Sequence, residues 1–333
     1  MRNLPSYPAL IAVLLTTTLL AFVTSILIGP TELGFRDLVT AIFGENPSMT
    51  TMIIGEIRLP RAILGLLIGS TLGLTGASLQ GYLRNPLAEP GVIGVSTAAA
   101  LGAVLAIYTG LSSSVPLALP VMAIGGSLIA VLILRALAGS GSILTLILAG
   151  VAISSLGGAL TSLVLNLSPN PFASLEIIFW LLGSITDRSM DHVWLAAPFI
   201  ISGWVLLVLS ARALDILSLG EETAISLGIN LERTQLFIIF GTAISVGAAT
   251  AVSGVIGFVG LVVPHILRPW VNYSPSRLLL ASALGGATLL LSADVLVRLI
   301  TPGTELKLGV VTAFFGAPFF LHLILKTKAT FNT

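Results

Sequence analysis

The chain has 333 residues, 56% of them hydrophobic and only 9% charged, with a mean hydropathy of +1.07. Soluble domains carry about 25% charged residues, and a chain this apolar could not cover a water-facing surface, so the class is membrane protein. A net charge of +1 without any basic run offers nothing to nucleic acid, and the absence of cysteine excludes disulfides, thiolate metal sites and cysteine nucleophiles.

Ten apolar segments follow one another between polar breaks, near residues 9–28, 62–81, 92–109, 116–138, 143–167, 193–211, 234–252, 255–267, 278–297 and 308–325. They predict an all-α, polytopic fold in a single domain, 1–333. The first segment is uncharged for 20 residues, Ala9 to Ile28, enough for about 30 Å of hydrocarbon. A secretory signal core is shorter, about 7–15 residues, and no A-x-A follows, so the segment reads as a retained span, with a cleaved signal as the alternative. The eighth segment, "VIGFVGLVVPHIL", is short for a crossing and contains Pro264. It is expected either to begin deeper in the preceding segment or to be broken, which lipid tolerates only where protein or a water-filled cavity satisfies the freed backbone.

Ten spans place both termini on one side. With that side cytoplasmic, the inner segments hold Arg2, Arg84, Arg135, Arg212, Arg233, Arg268, Arg277, Lys326 and Lys328. The outer ones hold Arg36, Arg58, Arg61, Arg188, Arg298 and Lys307. Nine cations against six favour that orientation. Two spans rich in glycine and hydroxyls, "IGSTLGLTGASLQG" and "FGTAISVGAATAVSG", lie five spans apart and would run in opposite directions, a trace of an inverted repeat. For most of the glycines, close helix packing is sufficient explanation.

Catalytic chemistry finds no footing. His192, His265 and His322 are scattered, and none of the three lysines follows a glycine, so there is no phosphate loop. If transport is driven by ATP, another polypeptide binds the ATP and magnesium. Asp294 is the one carboxylate clearly inside a span, four residues before Arg298, the favourable spacing for a helical ion pair. A proton- or sodium-coupled secondary transporter, the alternative reading, would be expected to hold more buried carboxylates.

Four polar breaks remain. "EIRLPRAILG" reads as a solvated helix start or as a fixed cationic surface for an acidic partner. "RNPLAEPG", held by two prolines, is a stiff inner turn, and "TDRSMDH" reads as solvated. The fourth, "LSLGEETAISLGIN" from Leu217 to Asn230, mixes Glu221, Glu222 and Ser226 with Leu217, Leu219, Ala224, Ile225 and Leu227, and its glycines would divide it into two short helices. It reads either as a connecting loop or as a short helix offering apolar positions to a groove on another protein.

The stretch "RLPRAILGLLIGSTLGLTGASLQGYLRNPLAEPGVIGVSTAAALG" resembles the FecCD/BtuC family, permease subunits of type II ABC importers for iron–siderophores, haem and vitamin B12. So do "LSLGEETAISLGIN", "SGVIGFVGLVVPHILR" and "ADVLVRLITPGTELKLGVVTAFFGAPFF", in the family's order. The resemblance implies ten helices per subunit, a pair of permeases (two copies or sister chains), a dimer of ABC ATPase subunits and a substrate-binding protein. It implies a multi-pass protein of the bacterial inner membrane with both termini cytoplasmic. It assigns the segment 214–230, with Leu217, Leu219, Gly220, Glu221, Glu222, Ala224, Leu227 and Gly228, to docking in the ATPase groove. It assigns Arg58, Arg61 and Arg298 to the binding protein, and the loop of Asn85 and Leu87 to a cytoplasmic gate. The vitamin B12 importer of that family has a hydroxyl pair at the start of the fifth helix; the best-matching positions here are Ile143 and Leu144, with Ser142 beside them. The cargo implied is a metal chelate, an iron–siderophore first, cobalamin or haem next.

Overall fold

A computed structural model describes residues 6–31, 34, 39, 49–115, 117–139, 143–168, 170–300 and 306–331, with backbone only at 323, 324 and 326–331. Arg2, Arg36, Ser142 and the side chains of Lys326 and Lys328 therefore lie outside the described residues. All regular structure among those residues is helical: α1 Tyr7–Leu27, α2 Leu59–Tyr82, α3 Val95–Tyr108, α4 Ala118–Ala138, α5 Ile143–Asn166, α6 Pro171–Leu181, α7 Met190–Leu209, α8 Ala211–Leu217, α9 Glu221–Ser226, α10 Leu231–Ser253, α11 Val259–Leu267, α12 Pro275–Ile300 and α13 Leu308–Phe331. Short turns of helix at Met49–Met52 and Leu111–Ser114, a π-helical turn at Ile53–Arg58 and a 3-10 turn at Arg268–Val271 complete the set. Seven of the helices are long and apolar enough to cross a membrane.

Each of the ten expected spans is one of these helices. The eleven residues of α6 have no place in that count. The helix is set by Asn170, whose side chain accepts the Phe172 N–H at 2.9 Å, and by Pro171 at its first position. At about 1.5 Å per residue it reaches only about half-way across hydrocarbon.

The bundle is built around α2 and α10, the two most deeply buried long helices and the two that carry the glycine- and hydroxyl-rich runs. Small residues let backbones meet. Gly69 and Gly73 of α2 lie against the Gly286 and Ser282 carbonyls of α12, and Gly76 lies against the Gly260 carbonyl of α11. A methyl at Gly73 or Gly76 would overlap those carbonyls, so either helix would have to move. Several buried hydroxyls are satisfied within their own helices: Thr71 donates to Leu67 O and Thr75 to Thr71 O, both at 2.7 Å, and Ser245 donates to Gly241 O at 2.6 Å. At the periphery α1, α5 and α7 turn Val13, Leu19, Leu148, Leu156 and Val205 outward, an apolar belt suited to lipid.

The eighth span takes the broken form. α10 ends at Gly254 (φ +70), residues 254–258 are unwound, and α11 starts deep in the bundle. The freed backbone finds protein partners. Ser253 O accepts the Ser184 N–H at 2.7 Å, and the carbonyl of left-handed Phe258 (φ +67) accepts the Val262 N–H at 2.9 Å.

Candidate functional site

The charged side chains collect at the two ends of α2. At its start, Arg58 of the π-helical turn is only 4% exposed and donates to Ile26 O at 2.9 Å, Leu27 O at 2.5 Å and Thr31 O. Arg298 of α12 donates to Ser25 O at 2.8 Å, Ile28 O at 2.5 Å and Ser25 Oγ at 2.7 Å. Both guanidiniums thus fill the C-terminus of α1, where the last carbonyls lack helical partners and the helix dipole is negative.

Asp294 joins this arrangement from α12. Its carboxylate accepts from Arg61 Nε at 3.0 and 3.1 Å, from Arg61 Nη2 at 2.7 Å and from Arg298 Nη2 at 2.7 Å. The i, i+4 pair legible in the sequence is present, and Arg61 is its third member. Asp294 is 2% exposed in its side chain, Arg298 9% and Arg61 15%. Of the three arginines assigned by resemblance to a partner, Arg58 and Arg298 are spent on α1, and Arg61 has the most exposed side chain of the charge-paired three.

At the opposite end, α8 and α9 form a platform. Gly220 (φ +111) and Gly228 (φ +80) take backbone conformations that other residues rarely adopt, and they start and end α9. Leu219, Ile225 and Leu227 are 66%, 59% and 60% exposed. Leu217 and Ala224, grouped with them on sequence, are instead buried at 2% and 0%. Each short helix must seat one residue on the bundle, and these two do so. Glu222 is exposed, and Glu221 pairs with Arg84 at 2.8 Å. Asp215 of α8 accepts the Ser276 N–H at 2.8 Å, capping the first turn of α12.

Arg84 begins the stiff turn after α2. It has φ +48, Asn85 Oδ1 accepts the Leu87 N–H at 2.9 Å, and Ser154 of α5 donates to Gly91 O at 2.8 Å. The structure therefore brings Asn85 and Leu87 together with the platform, while Ser142 lies outside the described residues. Beyond the turn, Glu89 lines a cavity of about 290 Å³ together with Ser96, Thr97, Thr161 and Phe258. Burial pushes its carboxyl above the usual carboxylate range, opposed by the nearby Phe258 backbone N–H. The sequence reading missed this group because it lies outside every apolar run. No cluster of three or more His, Cys, Asp or Glu that could hold a metal ion occurs among the described residues.

A many-helix membrane bundle with one end locked by arginines and a short-helix platform at the other is the frame of a permease. The FecCD transport family matches residues 17–326, and the chain belongs to that family, whose members are permeases of ABC importers for metal chelates, haem and vitamin B12. The ferric enterobactin transport system permease protein FepD of Escherichia coli is 39% identical over 318 residues, 93% of each chain. The hemin transport system permease protein HmuU of Yersinia pestis is 38% identical over 305 residues, 90% of each. A solved structure described as an inward-facing conformation of a metal-chelate type ABC transporter aligns with TM-score 0.86 and 31% identity, covering 96% of this chain and 99% of that one.

Proposed function

We propose that this permease imports a bulky metal chelate, an iron–siderophore before cobalamin or haem, from a binding protein outside the bacterial inner membrane to the cytoplasm. The observation that carries the mechanism is the platform at Leu219, Ile225 and Leu227, tied through Glu221 and Arg84 to the 84–91 turn. Three large apolar side chains on a short polar element suit a groove on a partner, and the partner proposed is an ATPase dimer that supplies ATP and magnesium. That end is then cytoplasmic, as are the termini. Two permeases, identical or sister chains, would enclose the path.

An ATPase that binds one permease conformation better than another shifts the equilibrium by that difference in affinity. The Arg84–Glu221 pair is half-exposed, 44% and 45%, and such pairs add only about 0–1 kcal/mol of stability. Its contribution is geometric: motion of α9 reaches the gate turn. At the other end, two arginines on one aspartate, with Arg58 beside them on the α1 carbonyls, leave an excess of positive charge, which steers an acidic binding protein, and Arg61 supplies the contact.

The test is reconstitution with the ATPase and binding protein proposed as its partners. ATP-dependent uptake into proteoliposomes is measured for ferric siderophores, cobalamin and haem. Uptake that proceeds without nucleotide on an ion gradient would overturn the importer reading in favour of a secondary transporter.

A further inference from the structure

Two cavities open at the same end as Arg61, one of about 620 Å³ and one of about 730 Å³, and Glu176, Trp180 and Arg188 line both. Trp180 Nε1 and Arg188 Nε are buried and have no hydrogen-bond partner among the described residues. Among the described residues no ion pair holds Arg188, unlike Arg61, Arg84, Arg135 and Arg298. Buried donors are rarely left unpaired, because each forfeits its bonds to water without replacement. Two of them on shared cavity walls point to something that enters and accepts.

The loop that presents Arg188 is fixed in place. Ser184 N–H donates to Ser253 O of α10 at 2.7 Å, and Gly309 N–H of α13 donates to Gly183 O at 3.2 Å. Thr186 N–H donates to Ser184 Oγ at 3.1 Å, and Asp187 turns the chain at φ +56. A guanidinium held this way is preorganised for a ligand.

The donor chemistry defines that ligand. Indole N–H and guanidinium donate and cannot accept, so the ligand must bring acceptor oxygens. The guanidinium fork matches a carboxylate or phosphate. Lys307 adds a second cation to the smaller cavity, its ammonium 6.0 Å from the Phe179 ring centre. Glu176, Asp187 and Asp191 also line these cavities, but all three are exposed. Water and salt screen an exposed carboxylate far more than a buried donor.

We infer that the cavities around Trp180 and Arg188 form an oxyanion subsite at the outer mouth of the permease, receiving a carboxylate of an anionic metal chelate. This rests on the importer reading for which molecule presents the oxyanion; a lipid headgroup phosphate shares the chemistry. The purified full chain is placed in nanodiscs of phosphatidylcholine, and binding of ferric citrate and of a neutral ferric trihydroxamate is measured by equilibrium dialysis without nucleotide or ATPase. The expected result is ferric citrate binding that Arg188→Gln weakens about tenfold and Arg188→Lys less. Trp180→Phe should weaken it several-fold, and trihydroxamate binding should not respond to Arg188→Gln. The variant's monodispersity and thermal melt, expected unchanged, control for folding.

Wild-type affinity for ferric citrate in Arg188→Gln, or no binding to the wild type, would overturn the inference. So would an anionic lipid that copurifies with the wild type and not with Arg188→Gln while ferric citrate fails to bind, since the oxyanion would then be the lipid's. Failed ATP-driven uptake with intact ferric citrate binding would count against the importer reading alone.

Discussion

Asp294 stands between two guanidiniums, and its loss would be felt in stability before function. Asp294→Asn leaves Arg61 and Arg298 buried without a counter-charge, a change that typically costs about 3–5 kcal/mol. The expected outcome is a lower melting temperature of the solubilised protein, with Asp294→Glu intermediate. Arg61 lends itself to a sharper test, because it is the paired arginine nearest solvent. Arg61→Glu should weaken binding-protein association at low salt and flatten its salt dependence. Arg58→Met should mainly destabilise, since its guanidinium serves the carbonyls of α1. Equal docking by the Arg61→Glu variant and the wild type would remove Arg61 from the interface. The sequence made the Asp294–Arg298 pair legible because helical spacing is a local rule. Arg61 lies 233 residues from Asp294, and nothing short of the packed bundle joins them.

The two short helices behave as elements whose faces must be told apart. Ile225→Asp and Leu227→Asp alter exposed positions and should abolish copurification of the ATPase at an unchanged melting temperature. Leu217→Ala empties a buried position and should cost about 2–5 kcal/mol, read as a lowered melting temperature. A second test joins α9 to the turn after α2. Arg84→Glu and Glu221→Arg should each reduce ATP-driven uptake, and the double exchange should restore part of it. Additive losses in that cycle would show that the pair carries no coupling. Leu217–Asn230 was conspicuous in the sequence as a polar island with apolar residues. Its inward and outward faces were not legible, because seven- and six-residue helices hold too few turns to show a period. α6 went unread for a similar reason: its apolar residues carry no periodicity that separates a half-crossing from a loop.

At the scale of the whole chain, the positions of the apolar helices were legible because the bilayer requires long uncharged runs, and length and composition report them directly; seven of those helices are long enough to cross. The glycine- and hydroxyl-rich runs of α2 and α10 stood out in the sequence, but that they form the centre of the bundle shows only in the packing. The cavities beside Trp180 and Arg188 were not legible, since they arise where α3, α4, α6, α7 and the end of α10 converge.

The close seating of α2 on α11 and α12 has a thermodynamic consequence. Its 24 residues run from Leu59 to Tyr82, with Arg61 in the first turn and Arg84 just past the end, about 36 Å at 1.5 Å per residue. Its glycine contacts leave no slack for bending between its ends. A shift at one end must appear at the other, so the two partners proposed for those ends become linked ligands of one body. Linkage is reciprocal: whatever factor the binding protein adds to ATPase affinity, the ATPase must return to binding-protein affinity. Titrating each partner in the presence and absence of the other should give the same ratio. Enlarging Gly73 to Ala, which forces α2 and α12 apart, should bring that ratio toward one.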